Sequence, residues 1–161
     1  MAQKENNIIP MIFDEAFYRK MATQKWRQQD YKKAAEYYEK VLELSPKDFD
    51  IQQHYAQCLV KLNIGKKAER LFYENIVKDF HVAESFYELS QLNIELNEPN
   101  KAFLFGINYV ILSEDKDFRE MLEKTFEVTY TNEQKIELEA QLFSTQLLFQ
   151  FLFSQGRLEE A

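Results

Sequence analysis

Residues 31–46 read YKKAAEYYEKVLELSP, and the Lys32-Lys33-Ala34 near the start returns as Lys66-Lys67-Ala68 and, slightly altered, as Asn100-Lys101-Ala102. The three alanines stand 34 residues apart. Laid out in blocks of that length from Glu15, Phe49 and Ala83, the chain forms further columns. Ala22, Ala56 and Ser90 are all small, while Met21, Tyr55 and Leu89 are all bulky and apolar. The column of Tyr38 and Phe72 breaks at Gly106, and that of Pro46 breaks at Phe80 and Glu114. Two antiparallel helices approach closely only where one presents a small side chain to the other, with bulky residues filling the flanking grooves. A lone helix pair cannot bury its apolar face, so the pattern predicts stacked copies.

Apolar spacing predicts helices over 15–28, 31–44, 49–62, 66–78, 83–96 and 100–112. Asp14 and Asp48 stand where N-caps belong, and Pro46 follows the second helix. The short connectors QQD, NIG and NEP imply antiparallel neighbours. Ser113 is placed to cap a helix from Asp115, and Thr131–Gln134 has the spacing of a capping box opening a helix to about Ser154. Composition agrees with an all-α chain. Only three Gly and three Pro are present, too few for a hairpin-rich β fold, and 45% hydrophobic residues suffice for a packed core.

These stretches resemble the tetratricopeptide repeat, whose unit reads W-x2-L-G-x2-Y, then A-x3-F, then P. YRKMATQKW (18–26) with DYKKAAEYYEKVLELSPKD (30–48) is the nearest copy. QHYAQCLVKLNIGKKAERLFYENIVKD (53–79) is a good one, and FYELSQLNIELNEPNKAFLFGINYVILSED (86–115) is degenerate at Gly106. The resemblance implies an all-α fold, a right-handed superhelical stack of antiparallel helical hairpins. Three repeats are expected over 15–48, 49–82 and 83–116, after an N-terminal extension over 1–14. Residues 117–141 leave the register and read as an extra helix and the start of the next. Residues 142–161 read as the first half of a truncated repeat with Gln155-Gly156-Arg157 at its turn, so the chain is expected to be the N-terminal part of a longer bacterial-type array.

Catalytic signals are sparse. His54 and His81 are the two histidines, no metal-ligand spacing occurs, and neither a metal nor another cofactor is expected. His54 and Cys58 stand four residues apart, the spacing of a nucleophile and its base, but a buried thiol beside a surface imidazole is the ordinary reading. NIGKKAER lacks the first glycine and the Ser/Thr of a phosphate loop and reads as a turn. A net charge of −7 disfavours nucleic acid. The single cysteine fits a reducing compartment, and LFSTQLLFQFLF (142–153) is too short and polar to span a bilayer, so a cytoplasmic chain without membrane insertion is expected.

The resemblance implies instead a concave binding surface lined by the first helix of each repeat. Carried over residue by residue, it offers Arg19, Thr23, Trp26 and Arg27, then Gln53, Gln57, Val60 and Lys61, then Tyr87, Gln91, Ile94 and Glu95. Residues four apart share a helix face, so each set also forms a stripe on helical geometry alone. Gln146 and Gln150 are expected to extend the row, and Trp26 is a candidate anchor. Arg19, Lys20 and Arg27 make one end basic, and Glu84, Glu88 and Glu95 make the other acidic. Chaperone adaptors of this family grip a carboxylate-ended tail with Lys, Asn and Arg. Here Thr23 and His54 replace amides and Glu84 and Glu88 replace cations, so no such tail should bind. The expected function is non-catalytic binding of a protein or peptide segment, with a ligand-responsive signalling regulator as the alternative. The apolar 142–153 helix is expected to leave exposed surface, satisfied by self-association or by a bound partner.

Overall fold

The computed structural model describes residues 13–127 and 133–160, and within them there is no β-strand. Helices α1 (Glu15–Arg27) and α2 (Tyr31–Leu44), α3 (Phe49–Lys61) and α4 (Gly65–Val77), and α5 (Val82–Glu95) and α6 (Pro99–Ser113) form three antiparallel pairs. Each second helix also packs on the first helix of the next pair, and α3 touches α5 directly. The chain is therefore an all-α helical-repeat solenoid with α1, α3 and α5 in one layer and α2, α4 and α6 in the other. Every expected helix of this part ends within a residue or two of its observed bounds.

The periodic small residues hold the solenoid together. Ala22, Ala34, Ala56, Ala68, Ser90 and Ala102 are all completely buried, as the close approach of paired helices requires. Phe72 and Tyr38 fill the grooves beside them. At Gly106 the aromatic is missing because another side chain occupies its space. A Cβ built there would lie 2.7 Å from Leu122 Cδ1 and 3.0 Å from Ser90 Oγ. Leu122 belongs to α7 (Lys116–Phe126), which packs on α6.

Caps follow the acidic residues. Asp14, Asp30 and Asp48 accept from the backbone N–H groups of Phe17 (2.8 Å), Lys33 (3.3 Å) and Ile51 (3.0 Å). The expected cap at Ser113 is corrected: Asp115 accepts from Phe118 N at 2.9 Å, while Ser113 Oγ accepts from Asp115 N. The capping box expected over 131–134 rests on Thr131, which lies outside the described residues, as do positions 1–12 of the extension expected over 1–14.

Helix α8 (Glu133–Ser154) runs unbroken through position 142, where a new repeat was expected to open. Its packing partners are α6 and α4, so it lies along the outer layer. Asn108 donates from Nδ2 to Ala140 O (3.0 Å) and Ser144 Oγ (2.7 Å), and Phe143 meets Phe105 with ring centres 5.4 Å apart. The turn at 155–157 is present, with Gly156 at φ +70°. It folds back onto α4: Arg157 pairs with Glu74 at 2.6 Å, and Lys78 pairs with Glu160 of the 3₁₀ turn Leu158–Glu160 at 2.6 Å.

Candidate functional site

Three helices present the inner layer, and each carries the expected stripe with a different fate. On α1, Thr23 and Arg27 are exposed, as is Lys20 beside them. Thr23 Oγ1 donates to Arg19 O at 3.0 Å, so its hydroxyl keeps only lone pairs to offer. Arg19 itself is engaged. It donates to Glu15 from Nε (2.7 Å) and Nη2 (2.6 Å) and pairs with Asp48, while Ser45 Oγ donates to Glu15 at 2.7 Å. Those hydrogen bonds, Ser45's foremost and Arg19's next, hold the Glu15 carboxyl below its ordinary range. Arg19 thus straps α1 to the corner between α2 and α3. Trp26 is half-buried, packed on the core and edge-on to Tyr31 at 5.2 Å. It anchors the hairpin turn and does not stand free as a ligand anchor.

On α3 the row is less accessible than its spacing implies. Gln53 is buried, with Oε1 accepting from Asn75 Nδ2 (2.7 Å) and Ser85 Oγ (3.1 Å). Gln52 Nε2 donates to Asn75 Oδ1 at 2.8 Å, so one polar network joins α3, α4 and α5. Gln53 is thereby removed from the surface; a helix wedged between two neighbours buries more than one stripe. Gln57 is half-buried and donates to Glu88 of α5 at 2.9 Å. Burial pushes the Glu88 carboxyl up and Glu95 adds to this, while the Gln57 bond and Lys61 pull it down. Val60 is half-buried and Lys61 exposed.

On α5, Tyr87 is 38% exposed, its ring against Tyr109 (5.3 Å) and Phe118 (5.2 Å). Gln91 and Ile94 are half-buried, and Glu84 and Glu95 are exposed. Gln146 and Gln150 are exposed on α8, which rests on the outer layer, so they do not continue the row. The structure thus leaves Lys20, Thr23, Arg27, Lys61, Tyr87, Gln91 and Glu95 as groups an incoming chain can meet. An open cleft of about 820 Å³ lies on α1, lined by Arg19, Lys20, Thr23, Gln24, Arg27 and Gln28.

Among the described residues, Cys58 and His54 stand in different surroundings. Cys58 is completely buried and its thiol is pushed up to about 12 by that burial, so it is protonated at neutral pH. His54 is exposed and stacks on Tyr38 with ring centres 5.8 Å apart. Among the described residues no group of three or more His, Cys, Asp or Glu is placed to hold a metal ion, and no helix is long and apolar enough to cross a membrane.

Comparison with known proteins agrees with this geometry. Residues 25–72 match the family profile described as tetratricopeptide repeat. A crystal structure of MamA protein superposes with a TM-score of 0.61 over 91% of this chain and 85% of that one, at 17% identity, a likeness of fold. No curated protein sequence matches.

Proposed function

We propose that this tetratricopeptide-repeat chain is a non-catalytic binding module whose inner layer receives a segment of another polypeptide. Repeats of this family mediate protein–protein interactions, and side chains displayed from a rigid helical scaffold suit a docked segment. The observation that carries the reading is the polarity of the accessible row. Lys20 and Arg27 stand exposed at the α1 end, Lys61 in the middle, and Glu84 and Glu95 at the α5 end. The matching ligand is a segment with acidic residues at one end and basic residues at the other. Long-range attraction of that kind raises the rate of capture and sets direction more than it tightens binding. The protonated, enclosed Cys58 and its separation in role from His54 support a site without covalent chemistry. One reduced thiol also fits a cytoplasmic setting.

The test is affinity capture from the native cytoplasm, then titration of the captured partner against wild type and the Lys20→Glu/Arg27→Glu variant. Both side chains are exposed, so circular dichroism should be unchanged. The variant should bind about tenfold more weakly, about 1.4 kcal/mol, mostly through a slower on-rate. Equal affinity in low salt would remove the inner layer from consideration.

A further inference from the structure

Helix α8 is apolar on two opposite sides. One side, with Ala140, Phe143, Ser144 and Leu147, is seated on the solenoid. On the other side Leu138, Leu142, Phe149 and Phe153 are each at least half exposed. At 3.6 residues per turn these four fall within about 60° of arc and form one straight stripe. Rings Phe149 and Phe153 already stack on one another at 6.5 Å. A helix apolar all round is one that other surfaces enclose.

We propose that a second copy of this chain covers the stripe, α8 against α8, antiparallel about a two-fold axis. Two observations single out this occupant. First, the spacing is the same read in either direction: Leu138 to Leu142 matches Phe149 to Phe153 about a midpoint between Thr145 and Gln146. Leu138 of one copy therefore meets Phe153 of the other and Leu142 meets Phe149, twice over, which is the self-complementarity an isologous contact requires. Second, residues 140–156 contain no charged side chain, the longest such run in the chain. A charged partner finds no counter-charge there, and a lipid surface finds none of the Lys or Arg that amphipathic helices offer to headgroups. Two copies that each carry −7 repel wherever their acidic faces meet, and three of the four stripe residues, Leu142, Phe149 and Phe153, lie within the uncharged run. At the midpoint, Gln146 faces its own copy on one flank and Thr145 its own copy on the other, so the polar residues pair at the rim.

The test uses the whole chain in equilibrium sedimentation with two variants and a crosslink. Wild type should dissociate from dimer to monomer on dilution. Leu142→Glu and Phe149→Glu, both at exposed positions, should keep their helix content and raise the dissociation constant about a hundredfold. Gln146→Cys should crosslink to itself with a short bismaleimide. Leu138→Cys should crosslink only when mixed with Phe153→Cys, and this readout stands even if a glutamate variant fails to fold. A wild-type monomer at every concentration, whether the stripe stays bare or residues 1–12 cover it, overturns the proposal. So does a dimer that survives both glutamates, or one in which Leu138→Cys crosslinks to itself. Partner capture by the inner layer is independent of all these outcomes.

Discussion

At Gly106 a single missing side chain records a neighbour that its own repeat does not contain. The aromatic expected there is absent because Leu122, itself completely buried, fills the space from α7. Gly106→Ala should therefore overpack the site. Overpacking costs about 1–3 kcal/mol, and the better helix propensity of alanine returns about 1 kcal/mol. The net loss should lower the melting temperature by a few degrees. The coupling is specific: in a Leu122→Ala background the same Gly106→Ala change should be neutral or stabilising. A double-mutant cycle by chemical denaturation measures this, and additive effects would mean that Leu122 is not the obstacle.

Each hairpin turn repeats one device. Gln29, Asn63 and Asn97 adopt the left-handed conformation at φ +59°, +60° and +56°, again 34 residues apart. After each, a backbone N–H reaches back around the helix end: Asp30 to Lys25 (3.0 Å), Ile64 to Leu59 (2.8 Å) and Glu98 to Asn93 (2.9 Å). Asparagine tolerates this conformation and glutamine does so poorly. Exposed Gln29 is thus the strained member of the set. Gln29→Gly should stabilise the chain by about 0.5–1 kcal/mol, read as a higher midpoint in urea at unchanged slope. A loss of stability would mean that the glutamine side chain makes up for its backbone.

Across the whole molecule, stability in a repeat array passes through the contacts between neighbouring units. Gln57 to Glu88 is such a contact, joining the second helix pair to the third on the inner layer. Burial raises the Glu88 pKa, so the folded state holds that proton more tightly than the unfolded chain does. Its favourable contribution is present in acid and is lost as pH rises through the folded value. Glu88→Gln keeps an acceptor for Gln57 and removes the charge. The variant should match wild type below the carboxylate range and melt at a higher temperature at neutral pH. Equal melting temperatures at both pH values would place Glu88 in ordinary solvent.

The periodicity of the chain carries most of this architecture in plain view. Alanine at 34, 68 and 102 and aspartate at 14 and 48 act through their immediate helix, so spacing alone identified the paired helices and their starts. The proposed binding row was legible only in part. Lys20, Thr23, Arg27, Lys61 and Glu95 are exposed as their stripe implies, but Gln53 disappears into a network with Asn75 and Ser85, and Arg19 and Trp26 are taken up by the α2–α3 corner and by Tyr31. Partners that lie on other helices leave no trace in a single stripe. The same reason governs α8. Its two apolar sides announce that it must be enclosed, yet only the packing shows which side the outer layer takes. Local hydrogen bonding and side-chain size determine a helix and its pairing from within; where that helix finally rests is decided by surfaces far away along the chain.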